Sequence, residues 1–159
     1  MGLNALSGVL WRERQLLELL LFKLEEEQLI LTSGRTQWLG HATREVETVL
    51  EQIRTAELGR SVEADVAARE VGVAEGSSLL VLAQKAPAPW DELFADHHAA
   101  FVSLTDQIST LAESNRDLLA TSHRAAQETI MNLQQSVRTY SPHGASMAAG
   151  SVQLLDEAL

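Results

Sequence analysis

Between Pro89 and Pro142 the chain has neither a proline nor a glycine, and its apolar residues repeat with unusual regularity. Phe94, Phe101 and Ile108 lie seven residues apart and continue into Asn115 and Ser122. His97, Leu104, Leu111, Leu118 and Ala125 form a second seam at the same spacing. Two interleaved heptad seams on an unbroken stretch require a long amphipathic helix that packs against other helices in coiled-coil fashion. The pattern predicts a helix over 89–138, opened by Pro89 and by Asp91 and Glu92, where the helix dipole favours negative charge.

The rest of the chain supplies what such a helix packs against. Leu6, Val9, Leu10, Leu16, Leu17, Leu20, Leu21, Leu24 and Leu31 recur at helical spacing, which predicts a helix over 5–32. Ser33 and Gly34 close it, and Thr36 is the expected N-cap of a second helix over 36–70. That helix is expected to bury Leu39, Ala42, Val46, Val49, Leu50, Ile53, Leu58, Val62 and Val66. The short turn makes the two antiparallel neighbours. Gly72 and Gly76 then form a loop, Ser77 or Ser78 caps a short helix over 78–85, and Pro87 and Pro89 stop it.

The expected fold is all-α: an antiparallel helical hairpin built into a bundle of three long helices plus one short one. A single domain over 1–139 is followed by a flexible tail over 140–159, which contains Pro142, Gly144 and Gly150 and ends in the apolar patch Val152, Leu154 and Leu155.

Helix lengths do not match. At 1.5 Å per residue the last helix reaches roughly 72 Å, the second about 51 Å and the first about 40 Å. Part of the last helix is left uncovered. Its later half, ATSHRAAQETIMNLQQSV, is polar with sparse apolar positions, the profile of a segment that is ordered by a partner. Leu118, Leu119, Ala126, Ile130, Leu133 and Val137 supply a stripe for an amphipathic segment to fold against. The same residues would otherwise pack within the monomer or in a homodimer.

Charge and motifs exclude several classes. Twelve basic residues stand against 22 acidic ones, a formal charge of −10, which disfavours nucleic acid and anionic membrane surfaces as partners. No apolar run is long enough to cross a bilayer. The beginning, MGLNALSGVLWRER, lacks a basic n-region and is not expected to be a signal peptide. There are no cysteines, which leaves the redox compartment open. No glutamate stands three residues before any histidine, and the adjacent His97 and His98 point about 100° apart on a helix, so no metal site is expected. With no phosphate-binding glycine loop and no nucleophile elbow, the chain reads as a non-enzyme without a cofactor.

Two polar residues fall in the last helix's seam. His97 reads as a hydrogen-bonded core histidine or as a pH-sensitive packing residue. Asn115 either fixes register through a polar partner or marks where the core ends and solvent begins.

Two family resemblances bear on function. Trp38-Leu39-Gly40 is similar to the W-x-G turn of small secreted helical hairpins of the WXG type. Those proteins are shorter and carry Tyr-x-x-x-Asp/Glu in an export tail, whereas Tyr140 here is followed at that spacing by Gly144. The other resemblance covers nearly the whole chain. The opening helix WRERQLLELLLFKLEEEQLILTSGRTQWL, the stretch Asn115-Arg116-Asp117-Leu118-Leu119, and Tyr140-Ser141-Pro142-His143-Gly144 followed by Leu154-Leu155-Asp156 resemble the FlgN family of flagellar type III export chaperones. That resemblance implies a cytoplasmic chaperone that binds the C-terminal helical segments of hook-filament junction proteins and delivers them to the export gate. It implies a client site on the C-terminal helix and a contact of Tyr140 with the gate protein FlhA. A structural coiled-coil homodimer is the remaining alternative.

Overall fold

The computed structural model describes residues 2–140, with side chains through 138. Four α-helices account for nearly all of them: α1 (Gly2–Ser33), α2 (Leu39–Val71), α3 (Leu79–Lys85) and α4 (Trp90–Tyr140), with one turn of 3-10 helix at Thr36–Trp38. The helices divide between two compact units, Met1–Arg116 and Asp117–Leu159, so that α4 contributes to both. The 51 residues of α4 give it a length of about 77 Å, against about 48 Å for α1 and about 50 Å for α2.

Local chemistry explains each boundary. Gly34 at φ 73° and Gly72 at φ 76° adopt the left-handed conformation that ends α1 and α2. The Ser78 hydroxyl accepts the backbone N–H of Val81 at 3.3 Å and caps α3. At the start of α1 the Glu70 carboxylate accepts the backbone N–H groups of Gly2 at 2.8 Å and Leu3 at 3.3 Å, placing negative charge where free donors gather. Thr36 does not act as the N-cap of α2. It starts the 3-10 turn, and no side chain caps α2, because the chain tightens through this turn before the α-helix begins.

In the first unit α1 and α2 run antiparallel. Gly2 meets Glu70, Glu13 meets Arg60, and Glu27 meets Thr43. α4 runs parallel to α1, since Trp11 meets His97 and Gln28 meets Ser114. Two apolar clusters fill the bundle. Leu3, Leu6 and Leu10 pack with Ala67, Ala68, Leu82, Ala83, Ala86 and Phe94 near one end. Leu16, Leu20 and Leu24 pack with Val46, Val49 and Ile53, flanked by Ile108 and Leu111. Burying a side chain such as Phe94, fully excluded from solvent, contributes about 1.5–3 kcal/mol.

The apolar stripe of α2 departs from the sequence reading beyond Ile53. Leu58 and Val62 are 73% and 63% exposed, and Val66 is also exposed; Leu50, which precedes Ile53, is exposed as well. At about 100° per residue Leu58 and Val62 lie about 140° and 180° from Ile53, whereas Arg60, Ala64 and Ala67 lie within about 40° of it. Small alanines therefore carry the packed face of the second half of α2. Trp38 is exposed too, with its ring against His41.

Candidate functional site

Among the described residues Ser7, Glu13, Glu27, His97 and Asn115 are polar side chains buried in the bundle. Glu13 and Glu27 fall in register with Leu6, Leu10, Leu20, Leu24 and Leu31, and both are buried. Arg60 Nε lies 3.2 Å from Glu13 Oε2, close enough for an ion pair but not aligned as a hydrogen bond. Burial pushes the Glu13 carboxyl above the usual carboxylate range; Arg60 opposes that shift and Glu57 adds to it. The pair occupies the level of α1 between the two apolar clusters.

His97 is fully buried, and neither ring nitrogen has a hydrogen-bond partner among the described residues. The expectation of a hydrogen-bonded core histidine is therefore corrected. The ring is held by aromatic packing instead: Trp11 meets it edge-on at 4.6 Å, and Phe101 stacks at 6.1 Å. Burial first, and the Arg14 charge second, lower its pKa, with Asp96 opposing. The neutral imidazole is the form that fits.

Asn115 is 2% exposed and is the last buried residue among the described side chains of α4. Its Nδ2 donates to the Leu24 carbonyl at 2.8 Å and to Glu27 Oε1 at 3.1 Å. Both neighbours are acceptors, which fixes the orientation of the amide. The Thr43 hydroxyl donates to the other oxygen of Glu27 at 3.4 Å, so the carboxylate ties α1, α2 and α4 into one polar layer. Gln28 Nε2 donates to Ser114 Oγ at 3.1 Å beside it. Of the two sequence readings of Asn115, the structure selects the buried, paired one.

The remaining described part of α4, residues 117–138, contains no buried side chain. Leu119 is 36% exposed, Leu133 51% and Val137 42%, while Leu118, Ala126 and Ile130 are half-buried. At about 100° per residue Leu119, Ala126, Ile130, Leu133 and Val137 lie within about 60° of one another on the helix circumference. Leu118 lies about 100° from Leu119, at the edge of this stripe, and Met131, 61% exposed, lies on its other side. Asp117 and Glu128 are balanced by Arg124 and Arg138, so the segment carries almost no net charge in a strongly acidic chain. Polar Ser122, Thr129 and Gln134 border the stripe. Tyr140 ends α4, but its side chain lies outside the described residues, as does the 141–159 part of the tail that includes Val152, Leu154 and Leu155.

The stripe is one apolar face of the helix, bordered by polar side chains. Among the described residues no three His, Asp or Glu side chains come together as a metal site, and no helix is long and apolar enough to cross a membrane. The architecture is that of a small helical binding protein, with a packed bundle and an uncovered apolar stripe on its longest helix. The sequence model of the FlgN family, described as FlgN protein, matches residues 1–147, and the chain belongs to this family of flagellar export chaperones. No curated protein and no solved structure matches the chain.

Sequence reasoning missed the polar layer only in part. Asn115 is visible as a break in a seam, but Glu27 stands in the charged run Glu25-Glu26-Glu27 and does not announce burial by residue type. Its phase carried the signal: Leu20, Leu24, Glu27 and Leu31 keep the three-four spacing of a single face.

Proposed function

We propose that this chain acts in the cytoplasm, without catalysis, as a chaperone for hook-filament junction proteins. It covers their C-terminal helical segments, prevents early assembly and presents them to the export gate. The observation that supports this reading is the stripe Leu119, Ala126, Ile130, Leu133 and Val137, together with the adjoining Leu118. It repeats at helical spacing in a segment with no buried side chain. An exported segment that is itself amphipathic and unfolded gains order by laying its apolar face along such a stripe. Near-neutral charge at the segment leaves recognition to apolar area and spacing, and the acidic remainder of the chain keeps nucleic acid and anionic lipid away.

The test is removal of residues 127–159. The truncated protein should remain helical and unfold cooperatively, yet fail to bind a peptide from the C-terminal segment of a junction protein; unchanged affinity would place the site elsewhere. Tyr140 carries the second part of the reading, contact with FlhA. Tyr140→Ala should weaken FlhA binding while leaving client binding intact, and equal loss of both would reject a dedicated gate contact. Sedimentation over a wide concentration range separates a client site from a homodimer seam, which would show a concentration-dependent mass without client.

A further inference from the structure

Apolar packing by itself discriminates poorly between registers of α4. Phe94, Phe101 and Ile108 are spaced by seven, as are His97, Leu104, Leu111 and Leu118. Sliding the helix along α1 by one heptad, about 10 Å, exchanges one bulky apolar residue for another at most levels. The polar layer breaks this degeneracy. Glu27 is 6% exposed, and its donors are the Asn115 amide from α4 and the Thr43 hydroxyl from α2. A slide in one direction puts Ile108 at the level of Asn115, where it offers no donor. A slide in the other direction puts Ser122 there, with one hydroxyl hydrogen for the two acceptors that Asn115 satisfies. Either leaves a buried carboxylate short of hydrogen bonds, which is costly away from water.

We infer that Asn115, held by the Leu24 carbonyl and by Glu27, is a positioning residue that keeps α4 in a single register along α1. It thereby determines which apolar residues of the helix are left for the client. This consequence rests on the client site proposed above, whereas the register role stands on the hydrogen bonds. In the slide that brings Ser122 to the level of Asn115, Leu118 and Leu119 move alongside Leu20 and Leu24 and are withdrawn from the stripe.

The chain has no cysteine, so engineered pairs report register directly. Gln28→Cys with Ser114→Cys replaces side chains that touch at 3.1 Å and marks the native register. Gln28→Cys with Thr121→Cys, or with Gln107→Cys, marks a slide of one heptad in each direction. Under a glutathione redox buffer only the 28–114 disulfide should form when Asn115 and Glu27 are present. Asn115→Leu combined with Glu27→Leu removes both partners without orphaning a carboxylate, which keeps the bundle folded. In that background a displaced pair should form to at least about a tenth of the native yield, and affinity for a junction-protein C-terminal peptide should fall about fivefold or more. A double variant that forms only the 28–114 disulfide overturns the register role. Displaced pairs with unchanged affinity uphold the register role and overturn the client-site reading instead.

Discussion

α4 has two kinds of residue pattern, and they differ in what they ask of their surroundings. From Phe94 to Asn115 its seam is aromatic and aliphatic, with Phe94, His97 and Asn115 fully or almost fully buried. Over residues 117–138 the apolar spacing persists, but the side chains are smaller or sparser and none is buried. The first pattern encloses enough apolar area to offset the entropy of ordering; the second does not do so alone. A helix can therefore keep its apolar period after losing its packing.

The comparison can be broken most forcefully in the packed part. Phe94→Ala should lower unfolding free energy by about 3–5 kcal/mol, measured by denaturant titration, because it opens a cavity among Leu6, Leu10 and Leu82. Leu133→Ala should change stability by less than about 0.5 kcal/mol in the same assay. If the two cost the same, the contrast between the regions is wrong.

Binding should show the reverse order. Ile130→Asp combined with Leu133→Asp should weaken client-peptide binding by about a hundredfold, close to 2.7 kcal/mol, with the melting temperature unchanged. Titration calorimetry beside thermal unfolding checks both halves of that statement.

A smaller effect sharpens the account of the interior. His97 in the bundle takes up a proton only at lower pH than an ordinary histidine, so below about pH 6.5 the unfolded chain binds more protons than the folded one. The stability associated with neutral His97 is present above that value and is lost as the pH falls through it. Denaturation midpoints should therefore drop between pH 7.5 and pH 5.5, and His97→Phe should flatten that drop. Glu13 acts with the opposite sign. Its raised pKa favours the folded state below the ordinary carboxylate value and gives up that advantage as the pH rises. Glu13→Gln should flatten the pH dependence on the acid side.

The smallest predicted change is a gain. Gly59 lies inside α2 with open space where a Cβ would stand, so Gly59→Ala should raise stability by about 0.5–1 kcal/mol.

Legibility followed locality. The helices, the end of α1 at Gly34, the loop at Gly72 and a serine cap at Ser77 or Ser78 were readable because they depend on residues a few positions apart. The direction of the second half of α2 was not. Leu58 and Val62 look like core by residue type, but the alanines opposite them carry the buried face. The candidate stripe was legible as spacing, while its exposure required knowing what the rest of the bundle covers. The exposure of Trp38 was not legible for the same reason, since an aromatic side chain at a corner does not reveal which way the corner turns.

An all-helical chain, a net acidic charge, a last helix longer than the two before it and membership of the family all follow from the order of residues alone. It took the folded bundle to show that Asn115 donates to Glu27 and the Leu24 carbonyl, that Thr43 donates to the same Glu27, that His97 is packed between rings without a hydrogen bond, and that Glu13 meets Arg60. The physical reason is range. Period and caps are set by neighbours along the chain, whereas a buried polar group is defined by partners tens of residues away, and one polar residue in a seam does not say which acceptor it will face.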